Sequence, residues 1–438
     1  MAYYERLVMK RISVAKFGGS SMGSATAMNR AAQIVAGTKP SLVVVSAVSG
    51  ITNLLENIMK GKDPSEIIST IKTKHLDLCA ALKINPPELT LGLLKQLDNF
   101  DFKATFTPER CDALYSFGER LSSSIFFELL GQAKLVDARK LIITDDTHTQ
   151  AIVDYKATAQ AANSEFGTLI GKTTVLTQGF IASNKKGKTT TLGRGGSDFS
   201  AAILAEAVKA EELTIWTDTA GIFSADPRIV ENAHVIPRLT YEETTEYAYA
   251  GARIIHPSTL MPVERNRIAL RIKNTFEPNS PGTIVENSNK TKLSINGVVA
   301  KKNQVLITLS TPQMSEPYGY LAKLFGLFAK HSISVDQVIT SETAVSISMK
   351  SKMHGHSELL SDLQNLGDLK IDKNIAIVSV VGNNITRHSS AARRIIDAVG
   401  DISLRGLNQG ASANVFCLLV EDQEADECVR RLHDRVII

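Results

Sequence analysis

Residues 189–204 read TTTLGRGGSDFSAAIL, with Arg194 set among Gly193, Gly195 and Gly196, and with Ser197 and Asp198 just after them at a predicted helix start. A β-prone run that passes through a glycine turn into a helix suits an anion. The glycines let backbone N–H groups approach it, and the helix N-terminus adds partial positive charge. An ordinary strand-to-helix turn with Asp198 as a cap reads the same residues equally well. A second place of this kind is ISVAKFGGSSMGS (12–24), where Lys16 ends a strand beside Gly18, Gly19 and Ser20. Such a lysine is either a solvated surface charge or a cation aimed into the crevice above the strand ends. The adjoining Gly-Gly-Ser-Ser favours the second reading, because bare backbone donors and a point charge together cradle phosphate. It is not a P-loop, since the lysine precedes the glycines.

These residues need a sheet behind them. LVVV (42–45) is a continuous apolar run, as in a parallel strand covered on both faces, and it feeds SAVSGITNLL (46–55). Ser46, Ser49, Gly50 and Thr52 there read as turn and cap residues or as crevice lining. Residues 56–112 have helical spacing broken near Lys60–Pro64 and Asn85–Pro87. A helix is predicted over 114–130 with Gly118-Glu119-Arg120 at its middle; such a Glu-Arg pair usually marks a solvated face. LIIT (141–144), TVLTQGFIA (174–182), LTIWTD (213–218) and RIALRIKN (267–274) read as strands. The β–α–β alternation predicts an α/β fold around a mainly parallel sheet. Thr217 and Asp218 end one strand, and Phe223, Asp226 and Arg228 follow in a loop able to serve a nucleotide. PNSPG (278–282) closes this first domain, residues 1–282.

Two similar units follow. VLITLS (305–310), a helix at 320–331 and two strands over 333–349 make the first; IAIVSVVG (375–382), a helix at 389–400, strands over 402–420 and a helix at 424–433 make the second. This repetition predicts a tandem of small α/β modules over 293–370 and 371–438. A length of 438 residues suits about three domains. A net charge of +4 points to neither a nucleic-acid nor a membrane surface, and 43% hydrophobic with 21% charged content suits a soluble protein. No apolar run is long enough for a signal peptide or a membrane span. Cys79, Cys111, Cys417 and Cys428 are widely spaced, which disfavours a zinc site or disulfide framework and favours a reducing compartment, the cytoplasm.

In order along the chain, KFGGSS (16–21), SAVSGITN (46–53), FGERLS (117–122), GRGGSD (193–198), WTDTAGIFSADPR (216–228) and GARIIHP (251–257) resemble the aspartokinases, of the lysine-sensitive monofunctional type, within the amino-acid kinase family. The resemblance implies a three-layer α/β/α kinase domain followed by two ferredoxin-like ACT modules. It implies transfer of the ATP γ-phosphoryl group to the side-chain carboxylate of L-aspartate, with Mg2+ accompanying ATP, at the entry to lysine, threonine and methionine synthesis. Residue by residue, Lys16 would contact the transferring phosphates and Asp198 would organise the catalytic centre. Arg194 would hold the substrate α-carboxylate with Ser197 beside it, Thr52 would touch aspartate, and Glu119 would take the α-ammonium. Gly18, Gly19, Thr217, Asp218, Phe223, Arg228 and Arg253 would hold ATP. Phe223 stands where relatives often have tyrosine, and Arg253 where they usually have lysine.

The same resemblance places an effector, L-lysine ahead of threonine, on Met314, Tyr320, Leu321, Val335, Asp336, Ser341 and Glu342 of the first module, with Pro317 a departure from the usual small polar residue. A homodimer through the ACT modules, or a dimer of dimers, is expected, and a plain dimerisation tail is the alternative for these modules. Both units lie at the end of the sequence, so no fused dehydrogenase is expected. Rival readings of the whole are a kinase for another small carboxylate and a catalytically inactive amino-acid sensor. The chemistry is self-consistent in either kinase case. A carboxylate is already ionised at neutral pH and needs no general base, so positioning and charge neutralisation carry the rate.

Overall fold

Strand β1 (Ser13–Phe17) is paired on both sides, and the first unit is built outward from it. The computed structural model describes residues 11–167, 169–170, 172–252, 254–287, 293–311, 318–351 and 357–437. After β1 come α1 (Ala25–Thr38), β2 (Leu42–Val45), α2 (Ile51–Met59), α3 (Pro64–Leu82), α4 (Glu88–Asp98) and the long α5 (Pro108–Leu130). Next are β3 (Ala133–Leu135), β4 (Ile143–Thr144), α6 (Tyr155–Phe166), β5 (Thr174–Gln178), β6 (Ile181–Asn184), β7 (Thr189–Thr191), α7 (Gly196–Ala207) and β8 (Glu212–Thr217). Then follow β9 (Arg238–Leu239), α8 (Tyr241–Ala250), α9 (Pro257–Arg265), β10 (Ala269–Asn274) and β11 (Thr283–Val285).

The main sheet runs in the order β3-β5-β2-β1-β8-β10-β11-β9. From β3 to β10 every neighbouring pair is parallel, and β11 lies antiparallel to β10. All four residues of Leu42–Val45 are buried, as a strand covered on both faces requires. Alternation along β1 puts Ala15 and Phe17 on one face, where they join a core with residues of α1 to α5. Lys16 therefore points to the other face, the side of α7. The chain leaves β1 for β2 on one side and returns on the other as β8. That makes the carboxyl ends of β1 and β8 the topological switch point, where open α/β sheets bind ligands.

TVLTQGFIA is not one strand. It breaks at Gly179-Phe180, so β5 stays in the main sheet while β6 joins a small sheet in the order β4-β6-β7. The break is fixed by backbone geometry: Phe180 sits at φ 65°, and its N–H donates to Ser200 Oγ at 2.8 Å. Of LIIT, only Ile143 and Thr144 enter a strand.

A second compact unit contains Phe223–His234, Glu242–Ala252 and Asn289–Ile438; the first comprises Met1–Ile222, Val235–Tyr241 and Arg253–Ser288. The second unit holds β12 (Ser294–Ser310), α10 (Tyr320–Lys330), β13 (Gln337–Thr340), β14 (Ala344–Lys350), α11 (Ser357–Gln364), β15 (Asp368–Asn383), α12 (Ser389–Val399), β16 (Leu404–Gln409), β17 (Val415–Glu421) and α13 (Ala425–Val436). Its strands form one sheet, β13-β14-β12-β15-β17-β16. The long strands β12 and β15 run through both modules. Residues 304–310 of β12 pair with β14, while residues 294–301 pair with the part of β15 that also pairs with β17. The second module therefore takes one strand from ahead of the first. α10 and α11 cover one apolar core, and α12 and α13 another. No helix among the described residues is long and apolar enough to cross a membrane.

Phe17 is fully buried and stacks on Trp216, the only tryptophan in the sequence, with ring centroids 6.1 Å apart. Phe17→Ala is expected to cost the first unit about 3–5 kcal/mol. The urea midpoint of Trp216 fluorescence measures this, and a loss near zero removes Phe17 from the core of the sheet.

Candidate active site

A cleft of about 900 Å3 opens over the carboxyl ends of the parallel strands. Lys16, Gly19, Thr52, Glu119, Arg194, Ser197 and Asp198 all line it. Lys16 reaches it from β1 with its side chain only 9% exposed, and its Nζ lies 2.5 Å from Asp198 Oδ1. Asp198 sits in the first turn of α7, where the helix N-terminus favours a negative group. The turn into α7 depends on Gly195 at φ 71°, the left-handed region where a side chain is disfavoured. A Cβ there would also come within 2.5 Å of His256 Cβ. The turn leaves Arg194 exposed, with its guanidinium available to a ligand. Burial, and Arg194 after it, hold the His256 imidazole below its ordinary pKa.

Glu119 is not on a solvated face. It projects from α5 into the cleft and is only 3% exposed. Gly118 allows this, because a Cβ in its place would lie 3.0 Å from Ala47 Cβ, and its absence lets α5 approach the loop after β2. Glu119 Oε1 accepts from the Ala47 N–H at 3.3 Å, whereas Oε2 is buried with no partner. Burial pushes this carboxyl up to about 8, partly opposed by the Ala47 N–H and by Lys16. Glu119 is thus a neutral acid at pH 7 whose second oxygen has no partner.

Residues not singled out from sequence complete the wall. Tyr115, one helical turn before Glu119 on α5, lines the cleft and meets Phe180 edge-on at 5.8 Å. Thr149 and Gln150 form part of the rim, and Glu56 pairs with Lys60 at 2.5 Å. The i−4 relation of Tyr115 to Glu119 was the available signal for the first. Nothing in the local pattern marks Thr149 or Gln150.

The residues expected at the nucleotide are more dispersed. The Gly18 N–H donates to Trp216 O at 3.1 Å, which ties the ends of β1 and β8 together. Thr217 and Asp218 lie just beyond, the threonine hydroxyl donating to Asp218 Oδ1 at 3.1 Å, and neither lines the cleft. Phe223 and Arg228 belong to the second compact unit, where Arg228 pairs with Asp226 at 2.6 Å. Arg253 lies outside the described residues.

In the first ACT-like module, Asp336 Oδ1 pairs with Lys301 Nζ at 2.7 Å. Tyr320 is buried in the module core, Val335 packs against that core, and Leu321 is exposed. The Ser341 Oγ accepts from the Ala344 N–H at 3.1 Å in an exposed turn beside Glu342. Met314 and Pro317 lie outside the described residues.

Residues 11–274 match a family model described as the amino acid kinase family, and residues 378–436 match an ACT domain. The chain is 34% identical to Lysine-sensitive aspartokinase 3 of Escherichia coli (strain K12), over 98% of this chain and 100% of the relative. It is 32% identical to Aspartokinase 3, chloroplastic, of Arabidopsis thaliana, over 97% of this chain and 81% of the relative. Among solved structures it is similar to E. coli aspartokinase III in complex with aspartate and ADP (R-state), with a TM-score of 0.86 at 34% identity, covering 97% of this chain and 99% of that one. The same enzyme in complex with lysine and aspartate (T-state) gives a TM-score of 0.83 at 34% identity, covering 98% of this chain and 100% of that one. Six motifs in order along the sequence, a parallel-sheet cleft lined by four of them and relatives matched along nearly the whole chain lead to one family: the chain belongs to the amino acid kinases, and among them to the aspartokinases.

Proposed function

We propose that this chain transfers the γ-phosphoryl group of ATP to the β-carboxylate of L-aspartate, giving 4-phospho-L-aspartate and ADP, and that L-lysine restrains it. The observation that carries the reading is the pairing, in one cleft, of the unpartnered Glu119 Oε2 with the exposed guanidinium of Arg194. A buried carboxyl oxygen suits an ammonium, and a guanidinium fork suits a carboxylate, so the two together suit a small zwitterion. Thr52 and Ser197 line the same cleft as neutral hydrogen-bonding groups.

The substrate carboxylate attacks phosphorus directly, so the protein's work is to bring two anions together. Lys16 offers its ammonium to the transferring phosphates, with Gly18 and Gly19 beside it and Thr217 and Asp218 at the neighbouring strand end for the nucleotide. Asp198 fixes that ammonium in place across 2.5 Å. Mg2+ is proposed to enter on the phosphates of ATP. No group of three or more His, Cys, Asp or Glu among the described residues is placed to hold a metal, which suits a cation taking most of its ligands from phosphate and water. Asp198 would be the carboxyl to approach it, and the cation would neutralise phosphate charge.

The protein is read as a cytoplasmic homodimer through its ACT modules, or a dimer of dimers. Four free cysteines support the compartment, and Leu404 and Leu407, exposed on edge strand β16, support the self-association.

Lys16→Ala and Asp198→Ala are each expected to lower kcat by about 100-fold or more, as for loss of a preorganised electrostatic contact. Aspartate-dependent ADP release measures this, and normal turnover in a folded Lys16→Ala protein rejects the role. Arg194→Lys is expected to raise KM for L-aspartate, because a point charge does not replace the fork; an unchanged KM rejects that contact.

Glu119 gives a pH signature. With its pKa raised to about 8, it is protonated at pH 7 in the free enzyme. An arriving α-ammonium favours the ionised form, so aspartate binding releases close to one proton, and KM falls as pH rises from 6 towards 8. Calorimetry at pH 7 in buffers of different ionisation enthalpy measures the release. Uptake, or no exchange, contradicts the assignment.

Millimolar L-lysine is expected to slow ADP formation. A rate indifferent to lysine removes the regulatory part of the proposal and leaves the kinase part standing.

A further inference from the structure

We infer that Asp112 is a positioning residue of the aspartate pocket, pinning the 148–150 loop and β7 so that Arg194 stands where it can meet the substrate. The inference rests on the assignment of Arg194 to the substrate α-carboxylate.

Asp112 lies on α5 seven residues before Glu119, about two helical turns and so on nearly the same face. It is fully buried, at 0% exposure, and it pairs with no lysine or arginine among the described residues. A buried carboxyl is tolerated only when its oxygens are hydrogen-bonded, and here its partners are two residues that line the cleft, Thr149 and Thr191, and one just behind it, His148. The Thr149 N–H donates to both oxygens, at 3.1 and 3.0 Å. The Thr191 hydroxyl donates to Oδ1 at 2.5 Å, and His148 Nδ1 lies 2.8 Å from Oδ2. Those donors belong to two separate stretches: the loop before α6, and β7, which leads directly into Gly193 and Arg194.

The loop is held in a conformation it would not keep unaided. Thr149 sits at φ 68°, a region that a β-branched residue rarely occupies and that persists only when its surroundings enforce it. Its carbonyl and Gln150 pack directly against Gly193, where a Cβ would meet Gln150 Cγ at 3.1 Å and Thr149 O at 3.3 Å. The Ala151 N–H donates to Thr191 O at 2.9 Å, binding loop and strand into one piece. Thr149, Gln150, Thr191, Gly193 and Arg194 all line the cleft, whereas Asp112 and His148 stand behind it. Asp112 thus acts on the substrate only through the groups it holds.

Steady-state kinetics of Asp112→Asn test this. The amide keeps the shape but presents an NH2 to groups that are themselves donors. KM for L-aspartate is expected to rise at least about tenfold, equivalent to about 1.4 kcal/mol, while KM for ATP stays within about twofold. Thr191→Val, which removes only the hydroxyl that ties β7, is expected to raise KM for aspartate in the same selective way by about threefold. A purely structural carboxyl would lower Tm and the yield of active enzyme without separating the two KM values. A folded Asp112→Asn protein with an unchanged KM for aspartate, or with both KM values raised together, overturns the inference. Should Asp112→Asn fail to fold, an unchanged KM in Thr191→Val overturns it instead. Arg194→Ala measured alongside separates the two layers. If it raises KM for aspartate while Asp112→Asn does not, the pin alone has failed; if it leaves KM unchanged, the Arg194 assignment has failed and the inference falls with it.

Discussion

The contact between Lys16 Nζ and Asp198 Oδ1, at 2.5 Å, fixes the relation on which the cleft depends. It joins the carboxyl end of the central strand to the amino end of α7, so a sheet edge and a helix terminus present their charges to one space. Removing either partner leaves a charge in a site where the lysine side chain is only 9% exposed, a costly arrangement. The pair is therefore structural and chemical together. Asp198 holds the ammonium at the strand end, and the ammonium neutralises the carboxylate in the first turn of α7. Gly195 adds the second condition, because only a residue without a side chain allows that turn to close against His256.

Around this pair, the remaining charges follow from what the substrate must bring. An enzyme that joins two anions gains from positive charge, but a pocket of lysines and arginines alone would not distinguish an amino acid from any dicarboxylate. On the function proposed above, Glu119 would supply the distinction at a cost. Burial holds it neutral in the empty cleft, so its desolvation is settled by keeping a proton and not by a permanent ion pair. A ligand with an ammonium group recovers the carboxylate form; one without it meets a neutral acid. The selectivity of such a site lies in the difference between those two encounters and not in the number of contacts.

Much of this was legible in the sequence, and what was missed has identifiable physical causes. LVVV at 42–45 read as a fully covered strand because nothing interrupts it, and it is one. Lys16 beside Gly18 and Gly19 reads as a cation in the crevice because bare backbone donors next to a point charge suit phosphate, and it lines the cleft. Glu119 read most naturally as a solvated face residue, and only the motif around it argued otherwise; burial of a single carboxyl depends on what packs across from it, which a helical period does not show. TVLTQGFIA read as one strand, since an apolar run gives no sign that Phe180 will adopt a positive φ. Residues 294–301 were not read as a strand at all, because Asn296-Gly297 interrupts the alternation, yet they pair along β15 through a shift of register. Nothing in the sequence marks Asp112, because its partners are a backbone N–H and two side chains far along the chain.

The shared sheet of the second unit bears on regulation in a way that two modules laid end to end would not. β12 and β15 each contribute one half to either module, so a displacement along one strand is felt by both cores. Lys301 lies on β12 at the point where the register shifts between the two halves, and its ammonium already occupies Asp336 at 2.7 Å. An ammonium ligand at Asp336 must compete with this tethered one, so its binding free energy is reduced by whatever the internal pair is worth. Displacing Lys301 also frees a charge at the junction of the two modules, where the strand is least regular. A single sheet with an irregular centre and an ion pair at that centre has fewer independent ways to respond than two separate sheets. On the proposed regulatory reading, that restriction would let a local exchange of partners alter the whole unit instead of one loop.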